Sequence, residues 1–165
     1  MSQILVGKDA KAYYSTNGLL VSDTTTSTAW IGDTNTVIAD NMMDVSLDLT
    51  SELVDATTRQ EAATGWRSEI SVLRNGRITF DLRWEYEDPA PAGSAAEFRN
   101  KIVAAWQASS PITLAFFDKA TSVTGAQGLI ANFSVSLTKN EALIDVQKAS
   151  VSLTIHSYPE WKTIP

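Results

Sequence analysis

Strict alternation of apolar and polar side chains is the feature that most constrains this chain. Over residues 77–87, Ile78, Phe80, Leu82, Trp84 and Tyr86 fall on one side of an extended backbone. Arg77, Thr79, Asp81, Arg83, Glu85 and Glu87 fall on the other. Side chains alternate across a strand, so such a segment has one side for a core and one for water. Strands with faces this distinct belong to antiparallel sheets. The pattern recurs over residues 44–50, with Val45, Leu47 and Leu49 against Asp44, Ser46, Asp48 and Thr50. Residues 129–138 set Leu129, Ala131, Phe133, Val135 and Leu137 against Asn132, Ser134, Ser136 and Thr138. Residues 149–157 set Ala149, Val151, Leu153 and Ile155 against Ser150, Ser152, Thr154 and His156. Shorter candidates lie at 3–15, 67–74 and 112–118. Asn75-Gly76 reads as a two-residue hairpin turn joining the strands over 67–73 and 77–87. Val146 is out of phase with the last strand, which predicts a bulge near Gln147-Lys148.

One helix is signalled. Ser94 and Glu97 form a Ser-x-x-Glu capping box, Pro111 ends the segment, and Phe98, Ile102, Ala105 and Trp106 make an apolar stripe on residues 95–108. Trp84 on the sheet and Trp106 on the helix are expected in the core. Trp66 and Trp161, at the ends of a loop and a tail, fit either the core or a subunit interface. Two stretches read as loops: the hydroxyl-rich 22–28, and 50–66, which carries Glu52, Asp55, Arg59, Glu61 and Trp66. A connection as long as the second is unusual in a compact domain and generally has a function.

The chain of 165 residues is the size of a single domain, 1–165. Charged residues are 19%, below the usual ~25%. Ser (17) and Thr (18) together supply 35 hydroxyls, so the polar faces are broad and weakly charged. A net charge of −6 argues against gripping nucleic acid or an anionic membrane. The absence of cysteine excludes a disulfide scaffold, an iron–sulfur cluster, a zinc ribbon and a thiol nucleophile. Apolar runs are too short to span a bilayer, and the N-terminus does not read as a signal peptide.

Catalytic chemistry finds little to use. His156 stands alone on a polar strand face, without a partner at metal or triad spacing. No phosphate-binding glycine loop occurs. Asp33-Thr34-Asn35 lacks the Gly and terminal Glu of a calcium loop. Glu85 and Glu87 fall on a solvated face, which does not raise a carboxyl pKa as a general acid requires. Asn132-Phe133-Ser134 spells a glycosylation acceptor but lies within a strand. The expectation is no enzyme, no cofactor and no metal.

The order of motifs resembles that of the tail tube (major tail) proteins of long-tailed bacteriophages and gene-transfer-agent-like tails. Gly7-Lys8-Asp9-Ala10-Lys11 opens the first strand, and residues 45–50 enter the long loop. Thr57-Thr58-Arg59 and Gly65-Trp66-Arg67 follow, then the 77–88 strand with Trp84, and the capped helix running into Pro111-Ile112. Asp118, Gly125, Gly128, two Ser/Thr-rich strands and Pro159-Glu160-Trp161 complete the series.

The resemblance implies a mainly β tail-tube fold: an antiparallel β-sandwich or partial barrel flanked by one α-helix. It implies hexameric rings stacked into a tube, with about four strands per subunit joining a continuous inter-subunit barrel. About 24 strands at ~4.8 Å, tilted ~40°, close at a diameter of about 48 Å and leave a bore of about 38 Å. The expected partners are further copies of the chain, tape-measure, tail-terminator and tail-tip proteins, and genomic DNA passing without specific binding. No membrane is expected; the protein belongs in the virion tail after assembly in the host cytoplasm. Asp44, Ser46, Asp48, Ser134, Ser136, Ser150, Ser152 and Thr154 are the expected lumen-facing residues, on faces without Arg or Lys. Residues 50–66 are the expected inter-subunit arm, through Glu52, Asp55, Arg59, Glu61 and Trp66. Two other functions fit the pattern: the inner tube of a contractile injection apparatus, and a carbohydrate-binding β-sandwich using Trp30 and Tyr13-Tyr14.

Overall fold

A computed structural model of the chain describes residues 10–33, 35–39, 42–55, 69–84, 89–140 and 147–165. The strands are β1 (Lys11–Ser15), β2 (Thr36–Ile38), β3 (Met42–Asp55), β4 (Glu69–Arg83), β5 (Ile112–Phe117), β6 (Gln127–Asn140) and β7 (Lys148–Thr163). The helices are α1 (Ser27–Ile31) and α2 (Ala95–Gln107). All seven strands form one antiparallel sheet in the order β2-β1-β5-β6-β7-β4-β3. The mainly β, antiparallel expectation with a flanking helix is met.

Chain length between β2 and β3 makes this sheet roll. Laid flat, its two edge strands would stand about 29 Å apart, six gaps of ~4.8 Å. Ile38 and Met42 are four Cα steps apart, which span at most about 15 Å. The edges therefore curl toward each other, and Ala12, Ala39, Met42, Val45 and Phe116 line the groove between them. Inside the roll lies the main core: Tyr14, Ile78, Phe80, Leu82, Leu114, Phe133, Val151 and Leu153, capped by Phe98 and Ile102 of α2. Each large buried side chain of this set contributes roughly 1.5–3 kcal/mol.

The helix forms where the sequence placed it. The Ser94 hydroxyl accepts from the Glu97 N–H at 3.1 Å. The Glu97 carboxylate accepts from the Gly93 N–H and, at 3.0 Å, from the Tyr14 hydroxyl, tying the helix start to β1. Trp84 packs against the core, with Arg99 and Lys139 5.4 and 5.0 Å from its ring centroid. Trp106, expected inside, is 50% exposed. It lies in the last turn, where residues 106–110 are all exposed while Ala105 is buried.

A second core lies on the outer face of β1, β5 and the near half of β6. Tyr13, Ala115, Phe117 and Ile130 pack there under Val21 and Trp30. The hydroxyl-rich 22–28 stretch, read as a loop, thus leads into a short helix that seats Trp30, whose indole N–H donates to the Leu19 carbonyl at 2.9 Å. Asn132 has the outward parity expected of it yet is buried under this segment, donating to the Val21 carbonyl at 2.8 Å and to Ser157 at 3.0 Å. The irregularity in β6–β7 pairing falls at this residue, whereas pairing is regular from Lys148 to Thr154. Val146 lies outside the described residues.

Two local expectations are overturned. Asn75-Gly76 is no turn, because β4 runs through it and Gly76 pairs with Leu49. A Cβ on Gly76 would come within 2.3 Å of Ile155 Cδ1 and 3.0 Å of Leu49 Cδ2, so the glycine serves close packing in mid-strand. The 50–66 loop does not begin at Thr50 either. Residues 50–55 continue β3 and pair with 69–75, which puts Glu52 and Asp55 on a strand. Arg59, Glu61 and Trp66, like Glu85 and Glu87, lie outside the described residues.

Candidate functional site

The sheet leaves one broad polar face open to solvent: the outer face of β6, β7, β4 and β3. Register fixes its rows, since residues paired across an antiparallel sheet share a face. One row reads Ser46–Thr79–Ser152–Ser136, the next Asp48–Arg77–Thr154–Ser134, and a third carries Asp81–Ser150–Thr138. Seven of the eight residues expected to share a face meet here in register. Asp44, the eighth, sits in a bulge between Met43 and Ser46 with φ of 53°, and lines the same shallow depression as Arg77, Thr79 and Ser152.

Hydroxyls hold the charges flat on this face. The Arg77 Nε–H donates to Ser152 Oγ at 2.7 Å, and Ser150 Oγ–H donates to Asp81 at 2.9 Å. His156 Nδ1 lies 3.5 Å from Ser134 Oγ. Among the described residues no cluster of His, Asp or Glu is placed to hold a metal, and no helix is long and apolar enough to cross a membrane.

The expectation of a face without Arg or Lys is corrected by topology. β4 lies between β7 and β3, so Arg77 and Arg83 join the face, and Lys148 pairs with Arg83 at its end. Where all four strands lie side by side, Asp44, Asp48 and Asp81 stand against Arg77, Arg83 and Lys148, so this part of the face is charge-balanced and hydroxyl-rich; Glu52 has the same parity farther along β3, beyond β7. The alternation of residues 77–83 was the signal for these contributors, but strand order alone could assign them to this face.

The opposite parity of β3 is also exposed. Val45 (49%), Leu47 (39%), Leu49 (55%) and Leu53 (56%) are left exposed by the described residues. Val45, Leu47 and Leu49 were expected to be buried. They are uncovered because β3 is the sheet edge, and from residue 49 onward it leaves β7 behind, paired only with residues 69–76 of β4. Trp161 is 58% exposed, so the core alternative for it falls. The aromatics that a carbohydrate site would need, Trp30, Tyr13 and Tyr14, are buried at 0%, 7% and 0%.

No protein-family model matches the sequence, and no curated protein matches it. Solved structures do. The tail of an empty gene transfer agent (GTA) particle, computed with C6 symmetry, aligns at TM-score 0.63 with 12% identity, over 96% of this chain and 98% of that one. The virion of the native GTA particle aligns with the same figures. The SPP1 tail tube aligns at TM-score 0.65 with 13% identity, over 97% of this chain and 80% of that one. The chain has a tail-tube fold. Agreement over nearly the full length includes the rolled sheet and the flanking helix together.

Proposed function

We propose that the chain is a structural subunit of a tail tube, polymerising as hexameric rings that stack and conduct DNA during ejection. The observation that carries this reading is the agreement with tail-tube chains over 96–97% of the length. Three features of the molecule support it. The open polar face spans four adjacent strands, and six copies would supply the 24 strands whose closed barrel leaves a bore wide enough for duplex DNA. The edge strand exposes Val45, Leu47 and Leu49, which need cover. The two-stranded extension of β3 and β4 beyond β7 is marginal alone and gains stability by docking on another copy.

In this reading Asp44, Ser46, Asp48, Ser134, Ser136, Ser150, Ser152 and Thr154 line the bore, joined by Arg77, Thr79 and Asp81. Phosphate-binding surfaces work by releasing counterions to an excess of cations. A balanced, hydroxyl-rich wall has no such excess and lets DNA slide. The segment 50–66 is the inter-subunit arm, with Glu52 and Asp55 on its strand portion. Partners are further copies, the tape-measure, tail-terminator and tail-tip proteins, and passing DNA; the place of action is the virion tail. Negative-stain microscopy of concentrated protein, alone and with tail assembly partners, is expected to show rings or tubes. A protein that stays monomeric with those partners present overturns the reading.

A further inference from the structure

The chain contains two Asn-Gly pairs, and the fold treats them differently. Asn17-Gly18 lies in the exposed turn after β1, where the Gly18 N–H donates to the Ser15 carbonyl at 3.2 Å and Gly18 has φ of 69°. Asn75-Gly76 lies within β4: Asn75 is exposed and pairs with Thr50, and Gly76 pairs with Leu49. The second pair sits at a junction. From Arg77 to Leu82, β4 is held between β3 and β7, whereas residues 69–76 pair, among the described strands, with β3 alone. The two-stranded ribbon therefore starts at this dipeptide.

Packing explains one half of the pair. A Cβ on Gly76 would meet Ile155 and Leu49, so glycine is required there. Asn75 is exposed, and packing makes no such demand for its amide. Asparagine is among the thermolabile residues, and a following glycine has no side chain to hinder attack on it.

We propose that Asn75 is a deamidation site whose reactivity is set by the β3–β4 ribbon. In the reaction the Gly76 nitrogen attacks Asn75 Cγ. The new C–N bond closes a succinimide ring, the Cγ–Nδ2 bond breaks, and ammonia leaves with the proton from the Gly76 amide. Water then opens the imide, its hydroxyl going to a carbonyl carbon and its hydrogen to the nitrogen. Addition at Cγ gives aspartate, and addition at the main-chain carbonyl gives isoaspartate. Nothing is oxidised or reduced. Ring closure needs Cβ and the following nitrogen to eclipse about the Cα–C bond. A strand holds ψ at about +135°, roughly 100° from that arrangement. The paired ribbon thus resists the reaction and the open ribbon undergoes it. A ribbon of two strands is marginal by itself, and local opening takes far less free energy than unfolding. At Asn17 the reacting nitrogen needs release only from a turn. Isoaspartate at 75 puts an extra carbon into the main chain, which throws residues 69–74 out of step with 51–55. Chains that have stood open then carry a permanent mark and lose the ribbon. This holds whether or not the chain forms a tube.

The test incubates the chain at mildly alkaline pH, folded and in concentrated urea, and locates amide-to-acid conversion by fragmentation mass spectrometry. In urea the two asparagines are expected to convert at closely similar rates. In the folded chain Asn75 is expected to lag Asn17 by about tenfold or more, as a ribbon open about a tenth of the time or less requires. Hydrogen exchange at residues 70–76 measures the open fraction independently, and the folded rate at Asn75 should equal its urea rate multiplied by that fraction. Chains isolated with isoaspartate at 75 are expected to have lost exchange protection over the same residues. Conversion as fast in the folded chain as in urea while residues 70–76 stay protected, or a folded rate that does not follow the open fraction, would overturn control by the ribbon. Failure of Asn75 to convert in urea would remove the site altogether.

Discussion

A methyl group on Gly128 would sit 2.2 Å from the Phe116 carbonyl oxygen and 2.7 Å from the Phe117 ring. The oxygen belongs to the backbone of a paired strand and has nowhere to go. Gly128→Ala is therefore expected to cost about 3 kcal/mol, the upper end of the usual cost of overpacking. At Gly76 the nearest atom is the far end of the Ile155 side chain, which can shift where a backbone oxygen cannot, and Gly76→Ala should cost about 1 kcal/mol. Urea denaturation of the two variants measures the difference, and equal losses would contradict this account. Neither constraint was legible in the sequence: Asn75-Gly76 spells a local turn, and the atoms that demand glycine there come from residues 49 and 155. Tyr14 is a second case of distant partners. Burial first, and then the Glu97 carboxylate it donates to, raise its phenol above the ordinary value of 10.0. The folded state holds this proton more tightly than the unfolded chain does. The associated stability is full below pH 10 and is lost as pH climbs beyond it. Tyr14→Phe should lower stability by about 1–2 kcal/mol at neutral pH and flatten the decline above pH 10, read from denaturation midpoints across pH 8–11.

Elements that depend on local signals were readable, and those that depend on a far partner were not. The helix start at Ser94 needed only residues 94–97, and Ser94→Ala should cost about 1 kcal/mol in thermal or urea unfolding. The alternation of residues 44–50 marked a strand with two distinct faces. Its continuation to Asp55 depends on pairing with residues 69–75, a stretch expected as a strand but assigned by its local Asn-Gly signal to a hairpin with residues 77–87. Trp106 follows the same rule: it adjoins the buried stripe of Phe98, Ile102 and Ala105, but whether anything covers it is set by tertiary packing and not by the helix's own residues. The exposed side of β3 gives a sharp test at this scale. Leu47 and Leu49 are already 39% and 55% exposed. Replacing both with Lys should change monomer stability by only about 0.5 kcal/mol per site. It should abolish multimer formation seen by light scattering, since charge on an edge strand opposes edge pairing. A variant with a large drop in melting temperature, or one that still forms multimers, contradicts the assignment of this edge to assembly.

Across the whole molecule, strand order decides which charges act together. The sequence showed eight polar residues of one parity, and the sheet order added Arg77, Arg83 and Lys148 to their face. In the proposed tube, replacing Asp44 and Asp48 with Lys would turn a balanced wall into a basic one. Such particles should eject DNA more slowly at low salt than at high, followed by dye fluorescence of emerging DNA. Equal rates in low salt would remove these residues from the bore. The roll of the sheet was not legible, because it follows from a short link joining opposite edges and not from any strand's composition. The direction of the ladders has a mechanical consequence. Backbone hydrogen bonds in a sheet run across its strands. In the proposed tube, where the sheets of neighbouring copies join one barrel, those bonds would run round the bore, and each ring would be a hoop tied by main-chain ladders. Successive rings would meet through side chains and the projecting ribbon of β3 and β4. Such a tube would be stiff against bursting and soft against bending: rings would rock on one another while each bore stayed round, so a flexing tail would keep its channel open.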